Sequence, residues 1–333
     1  MMERLRRRWF LILLLAGLTL GWLCPQWLRP ITAWMEPRLI VAFALFIMAG
    51  TLESRSLFRS LIHPAPALWA WCIGYTIPPA LAWLVGGLLP VADLRLGLLI
   101  ITSVPCTPAS SVLWTRLAGG NEAVALLTVL LTMATSWLIT PAWLAFAARA
   151  GVALDTAGMM SGLALVLIVP VGLGQLGRAI GPVGRAAGRH QRLLGVLSRL
   201  LIFSMILKAV SDVSDRLSDR SVALSLSGIL AAVALSVGVH LAALGTGFWS
   251  SRLLHFDRGS RIAVAFAGSQ KTLPVSLYLF DVYFKDAYPL AIVPLVCYHV
   301  GQLIVDTGIA DLFVRASNSG DKHGTWAPSE EQP

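Results

Sequence analysis

The sequence predicts an all-α polytopic membrane protein of ten transmembrane helices. Of its 333 residues, 56% are hydrophobic and 13% are charged, against roughly 25% charged residues in a soluble domain. A chain with so little charge cannot cover a globule of this size with polar surface, whereas a bilayer makes hydrocarbon the solvent for an apolar exterior. We therefore expect the lipid bilayer to be its partner.

Ten runs of the sequence carry few or no charges, and each is a candidate span at about 20 residues per crossing. The second is short, and Arg199 and Lys208 interrupt the seventh. The first lacks a small-residue cleavage site, so we expect it to be retained. In order, the runs are Trp9–Leu28, Leu39–Leu52, Pro64–Ala92, Leu96–Thr115, Ala123–Ala148, Thr156–Gly177, Leu193–Ser211, Ser221–Ser251, Ile262–Phe280 and Ala287–Val305.

The basic residues predict the orientation. The net charge of +9 lies in short segments between apolar runs, which indicates an orientation signal rather than a nucleic-acid surface. Ten spans with a cytoplasmic N-terminus place seventeen Lys and Arg inside and seven outside, with Lys208 and Lys271 within spans. This asymmetry follows the positive-inside rule. We expect a multi-pass inner-membrane protein with both termini cytoplasmic and a disordered tail over residues 316–333.

The spans divide into two sets of five, over residues 1–150 and 151–315. An odd number of spans per half makes the second half enter the membrane from the opposite side. Inverted-topology repeats of this kind are typical of secondary transporters. The sequence thus predicts two inverted five-helix repeats.

The fourth span of each half contains helix-breaking residues among polar ones. Pro105 and Pro108 interrupt the fourth span, while Gly268 and Pro274 flank four polar residues, 269–272, in the ninth. Proline removes a backbone donor, and matching interruptions in two halves point to a binding site at the midplane. Ordinary proline kinks are the alternative interpretation.

These segments resemble the bile acid:sodium symporter (SBF-like) family. Residues 105–112 (PCTPASSV) are similar to its fourth-helix signature, and residues 268–273 (GSQKTL) occupy the place of its ninth-helix stretch. Gly120-Asn121 and Ile139-Thr140-Pro141 bound the fifth helix as in the family. The resemblance covers residues 9–315. Lys271 and the pattern Tyr298-His299…Gln302 are most similar to the divergent branch that contains the seventh member of solute carrier family ten.

The resemblance implies a panel of helices 1, 2, 6 and 7 and a core of helices 3–5 and 8–10. The core would hold the crossed, broken helices 4 and 9, and the substrate would bind between panel and core during alternating access.

The chain departs from the sodium-coupled members at several positions. Phe266 stands where an acidic residue ligates sodium, Ser111 and Lys271 replace asparagines, and Thr128 and Thr132 are out of the family's register. Sodium prefers several oxygen ligands, and a lysine at the crossing would repel it. We therefore expect the family's sodium sites to be lost or rebuilt.

Lys271 is the most informative candidate, because a charge near the bilayer centre is costly and usually functional. It could replace a bound cation, carry a coupled proton or bind an anionic substrate; a structural ion pair with Asp306 is the alternative. His299 and Gln302 share one helix face, either facing the cavity or joining helices, while His240 fits a structural donor better. The predicted substrate or ion site comprises Thr107, Ser110, Ser111, Thr128, Thr132, Ser269, Gln270, Lys271, Thr272, His299 and Gln302.

The predicted function is secondary transport of a small organic solute, anionic or amphipathic, with H⁺ or Na⁺ as the possible coupling ion and no cofactor or metal. Sodium symport with rearranged ligands remains an alternative, as does a membrane regulator or channel. An enzyme is disfavoured because neither an HExxH nor a GxSxG motif occurs. The substrate, the direction of transport and the oligomeric state stay open.

Overall fold

The computed structural model describes residues 13–51 (without 14, 15, 18 and 22), 62–147, 155–219 and 225–321. Regular structure within these ranges is entirely helical. The first five predicted spans correspond to six helices, preceded by part of the first span that lies outside the described residues. They are α1 (Pro25–Thr32), α2 (Pro37–Thr51), α3 (Ala65–Val85), α4 (Ala92–Ser103), α5 (Pro108–Leu117) and α6 (Glu122–Ala147).

The second half begins with two helices joined by a π-helical turn, Ala164–Ile168, and ends with the longest helix among the described residues. A further π turn, Phe280–Phe284, follows the thirteenth helix. The helices are α7 (Thr156–Leu163), α8 (Val169–Ala179), α9 (Gly181–Arg189), α10 (Gln191–Asp219), α11 (Leu226–Leu253), α12 (Arg258–Ser269), α13 (Leu273–Leu279) and α14 (Ile292–Asp321).

Side-chain caps set several helix starts. Asp155 accepts from Gly158 N at 2.8 Å before α7, Ser225 accepts from Gly228 N at 3.1 Å before α11, and Asp257 accepts from Ser260 N at 3.0 Å before α12. Each side-chain oxygen satisfies a first-turn N–H that has no partner within its helix.

The helices are long and apolar enough to make this a multi-pass membrane protein. Among the described residues, six helical stretches meet that test, or eight if α1–α2, bent by 76°, and α4–α5, bent by 66°, each count as one span. The ninth predicted span coincides with two short helices, α12 and α13. Ten spans therefore remain a prediction, with the first only partly described.

The helices pack in two groups. In one, α2 lies against α8 and α10, and α10 also contacts α1. In the other, α3 contacts α6, α11 and α12, while α14 packs against α4, α5 and α11. Glycine permits the close approach of α8 to α2, since a Cβ on Gly174 would lie only 2.6 Å from the Phe46 carbonyl oxygen.

The outer surface is apolar over whole helix faces. On α11, Leu226, Leu230 and Leu253 are 72%, 60% and 78% exposed, and α8 similarly exposes Leu173 and Leu176. A soluble monomer does not expose contiguous apolar area on this scale, so lipid is the solvent for these faces.

Two features differ from the sequence prediction. Helix α9, with no buried residue, lies in a segment that we treated as a loop, because its glycines and arginines give no apolar run. Helix α14 continues to Asp321, so residues 316–321 are helical rather than disordered. The rest of the predicted tail, 322–333, lies outside the described residues.

We predict that Ala186 in α9 and Asp286 after the π turn face opposite sides of the membrane, because spans seven, eight and nine separate them. Single cysteines at each position, in a chain without its four native cysteines, are labelled in intact cells with a membrane-impermeant maleimide. Ala186→Cys should react only after permeabilisation and Asp286→Cys before it. Equal reactivity would mean that α12 and α13 form a re-entrant loop rather than a span.

Candidate functional site

The two broken helices lie side by side and are hydrogen-bonded to each other. The break between α4 and α5 covers residues 104–107, and the break between α12 and α13 covers residues 270–272. Across them, Thr272 N donates to the Pro105 carbonyl at 3.0 Å, and Thr107 Oγ1 donates to the Lys271 carbonyl at 2.7 Å. The predicted breaks in the fourth and ninth spans therefore meet in space.

Proline and extended backbone geometry create these breaks. Helix α4 ends at Ser103, and the next residue, Val104, is extended with ψ of 164°. Pro108 begins α5 at a position where an N–H is not needed. Pro274 plays the same part at the start of α13, after Thr272 with ψ of 119°. Gly268, expected to flank the break, instead lies inside α12; a Cβ there would lie 3.2 Å from the Ile73 side chain, so its smallness serves packing against α3.

Gln302 holds the unwound backbone of Lys271 from α14. Its Oε1 accepts from Lys271 N, and its Nε2 donates to the Lys271 carbonyl, both at 2.9 Å. The backbone donor and acceptor thus fix which end of the amide is nitrogen. That nitrogen also lies 3.0 Å from His299 Nδ1, which must accept, so the network assigns the ring proton of His299 to Nε2.

A buried polar chain runs from α11 to the edge of the break. Asp306, with no exposed surface, contacts His240 Nε2 at 2.8 Å and accepts from Gln270 Nε2 at 2.6 Å. Gln270 Oε1 therefore faces away from Asp306, and Ser110 Oγ donates to it at 2.6 Å. Because Ser110 donates its only hydroxyl hydrogen in this bond, it can act toward any further group only as an acceptor.

These hydrogen bonds show that Asp306 does not form the ion pair with Lys271 that we considered from the sequence. Asp306 pairs with His240 and Gln270, and His240 Nδ1 lies 3.3 Å from the Ser269 carbonyl. The Lys271 ammonium instead donates to two backbone carbonyls, Gly74 O at 2.6 Å and Val104 O at 3.0 Å. The side chain is 2% exposed and lies 5.3 Å from the centroid of the Tyr75 ring.

A cavity of about 430 Å³ opens beside the crossing. Four predicted site residues line its inner end: Thr107, Ser110, Thr272 and His299. The walls come from α2, α5, α10 and α14 and are mostly apolar. The remaining lining residues are Met48, Thr51, Pro108, Ala109, Leu113, Trp114, Gly195, Ser198, Arg199, Ile202, Pro274, Leu303, Ile304, Thr307, Gly308 and Asp311.

Other predicted residues are buried near the crossing without lining the cavity. Ser111 Oγ and Ser269 Oγ donate within their own helices, to Thr107 O and Ala265 O. On α6, Thr132 Oγ1 accepts from Cys106 N at 3.3 Å, so it supports the break. Thr128 donates to Val124 O within α6 at 2.9 Å, and its Oγ1 lies 3.5 Å from Ala67 O of α3, so these contacts join it to α6 and α3 rather than to the breaks.

Sequence reasoning missed several residues that the structure brings to the site. Trp114, Arg199 and Asp311 line the cavity, and Gly74 supplies a carbonyl to Lys271. The adjacent prolines 78 and 79 in the third span were a usable signal, because each leaves a carbonyl four residues earlier without its helical partner. Among the described residues, no cluster of three or more His, Cys, Asp and Glu could hold a metal ion.

We predict that Gln302→Leu destabilises the protein by about 1–3 kcal/mol, because it leaves the buried Lys271 N–H without an acceptor. Gln191→Leu is the control, since Gln191 Nε2 is exposed and makes one long contact of 3.5 Å to Thr51 O; it should change stability by less than about 0.5 kcal/mol. Unfolding of both variants is followed in the same detergent. Equal effects would contradict the role assigned to Gln302.

Comparison with known proteins identifies relatives over nearly the whole chain. A model of the SBF-like CPA transporter family matches residues 8–315. Sodium/bile acid cotransporter 7 of Mus musculus is 24% identical over 318 residues, covering 92% of each chain. The probable sodium/metabolite cotransporter BASS4, chloroplastic, of Arabidopsis thaliana is 28% identical over 237 residues, covering 67% of this chain and 53% of that protein.

A shorter similarity links the chain to the uncharacterised protein YbaS of Bacillus subtilis (strain 168). The two are 33% identical over 138 residues, which is 40% of this chain and 45% of that protein. The family resemblance predicted from the two break motifs is confirmed. Because the matched family is one of transporters, the expectation that this chain is not an enzyme is confirmed as well.

Proposed function

The chain belongs to the SBF-like CPA transporter family, and we propose that it is a secondary active transporter that carries a small organic solute by alternating access. The observation that carries this proposal is the 430 Å³ cavity ending at the crossed breaks. Its volume falls within the roughly 300–1,000 Å³ usual for small-molecule sites, and the unwound backbone at its end is tolerated at membrane depth where it borders protein or a cavity.

The cavity lies between the two packing groups. Met48 of α2 and Ile202 of α10 form one wall, while Leu113 of α5 and Leu303 of α14 form the other. We infer that α1, α2, α7, α8 and α10 form the panel and the remaining membrane helices the core. Relative movement of panel and core would expose the inner end of the cavity first to one side of the membrane and then to the other. The two breaks, one in each of the halves that we predict to be inverted repeats, support this mechanism.

The present arrangement fits an inward-facing state. The cavity reaches Thr51 at the end of α2, Gly195 near the start of α10 and Asp311 late in α14. With both termini cytoplasmic, as the positive-inside asymmetry predicts, all three positions lie toward the cytoplasm. The solute would therefore be released to, or taken from, the cytoplasmic side.

The lining favours an amphipathic organic anion. Thr272 Oγ1 and Trp114 Nε1 are buried and have no hydrogen-bond partner among the described residues, and both residues line the cavity. The indole N–H can only donate, and the Arg199 guanidinium adds positive charge. A solute whose anionic group reaches Arg199, away from the Asp311 carboxylate, and whose apolar body packs on the apolar walls would complement this lining.

We propose that transport does not require the family's sodium sites. Phe266 is fully buried in an apolar cluster with Phe313, with ring centroids 6.1 Å apart, and supplies no oxygen ligand. Ser111 donates within its own helix, and Lys271 places a cation at the crossing. Sodium symport with rearranged ligands is the second candidate, favoured by the word sodium in the names of the mouse and Arabidopsis relatives.

We predict that a ligand found by thermal-shift screening of small organic anions loses its effect in Ala109→Trp, because the larger side chain fills the cavity. Ligand at 100 times its dissociation constant should stabilise the wild type by about 2.7 kcal/mol. Ala186→Trp on α9 is the matched control and should keep the full response. The same ligand, radiolabelled, should exchange across proteoliposome membranes containing wild type but not Ala109→Trp.

Two outcomes would contradict the proposed site. One is ligand stabilisation that survives Ala109→Trp, since binding would then lie elsewhere. The other is a ligand that binds in this cavity but never exchanges across the membrane, which would favour a regulator over a transporter.

A further inference from the structure

The Lys271 ammonium lies in an enclosure made of backbone oxygens and one aromatic face. Its Nζ is 2.6 Å from Gly74 O on α3 and 3.0 Å from Val104 O at the end of α4. The Tyr75 ring lies 5.3 Å away, within cation–π range. Tyr75 is itself held in place, since its hydroxyl donates to Thr132 O at 2.6 Å.

A proline and a helix break explain why these two carbonyls can serve a cation. In a regular helix each carbonyl accepts from the N–H four residues later. The residue four positions after Gly74 is Pro78, which has no N–H, and Val104 lies in the break after α4 with extended backbone, where the helical pattern has ended. Both oxygens are therefore left for another donor.

The position is also electrically suited to a positive charge. Val104 follows the last residue of α4, Ser103, where the aligned peptide dipoles place partial negative charge. The nearest acidic candidate, Asp306, is engaged by His240 and Gln270. The ammonium is thus held by carbonyl dipoles and an aromatic ring, which is how proteins bind monovalent cations without a carboxylate.

We propose that this enclosure is a monovalent-cation site whose permanent occupant is the Lys271 side chain. The tethered ammonium supplies the positive charge that holds the middle of α3 and the end of α4 at the crossing, so no free cation is needed there. The inference rests on the proposed function only for its consequence, that sodium does not drive transport through this position. The site itself is a property of the fold.

Removal of the ammonium should convert the enclosure into a site for a free cation. In Lys271→Ala both carbonyls lose their donor and the volume of the side chain is empty. We expect the midpoint of thermal unfolding to fall, and to rise again by about 2–4 °C with saturating ammonium, methylammonium, potassium or sodium chloride, measured against N-methyl-D-glucamine chloride at constant ionic strength. The wild type should show no such difference between salts.

Three variants of the full chain make this test specific. Lys271→Met fills the volume without charge and should not respond to cations. Lys208→Ala removes a lysine that also contacts a backbone carbonyl, Thr32 O at 3.3 Å, and should not respond either. In Pro78→Ala/Lys271→Ala, the restored N–H of residue 78 competes for Gly74 O, so the cation response should shrink. If Lys271→Ala is not recovered folded, Lys271→Ser, which also leaves most of the volume empty, is measured in the same way.

The proposal is overturned if no small cation stabilises the Lys271 variant more than it stabilises Lys208→Ala. It is also overturned if the same cation stabilises wild type and Lys271→Ala equally, since the response would then not depend on vacating the enclosure. Because this assay needs neither a substrate nor transport, its failure leaves the cavity-filling test on Ala109→Trp intact, and the two proposals fail separately.

Discussion

The structure depends on the pairing of two backbone segments that have left the helical hydrogen-bond pattern inside an apolar protein. Each unpaired N–H or carbonyl in such surroundings costs several kcal/mol. Four amides of the breaks have partners: Cys106 N at Thr132 Oγ1, Gln270 N at Phe266 O, Lys271 N at Gln302 Oε1 and Thr272 N at Pro105 O. The crossing is therefore unwound and yet hydrogen-bonded.

Proline supplies the acceptors of this region and distant side chains supply the donors. Pro78 leaves Gly74 O to the Lys271 ammonium, and Pro79 leaves Tyr75 O to Trp143 Nε1 at 2.8 Å. These hydrogen bonds, together with the one from the Lys271 ammonium to Val104 O, connect α3, α4, α6 and the break before α13 into one unit. The cavity adjoins this unit at Thr107 and Thr272 and is bounded on the other side by α2 and α10. The proposed transport cycle requires these two sides to move relative to each other.

The sequence predicts the elements better than it predicts their contacts. Apolar runs locate the helices because a segment that crosses the hydrocarbon must itself be apolar. Prolines 105, 108 and 274 mark the breaks because the missing N–H of each proline interrupts the helix at that place. The partner of Lys271 could not be predicted, since Gly74 lies 197 residues away and only the fold brings it near. From charge alone we considered Asp306 as the partner of Lys271, whereas in the structure Asp306 contacts His240 and Gln270.

Hydrogen–deuterium exchange of the native protein tests the central claim, that the breaks are unwound but closed by hydrogen bonds. Peptides covering residues 103–110 and 268–276 are compared with peptides from α6. The account predicts that the amides of Cys106, Lys271 and Thr272 exchange as slowly as those of α6, and that Gln302→Leu speeds exchange at Lys271. Rapid exchange of these amides in the wild type would contradict it.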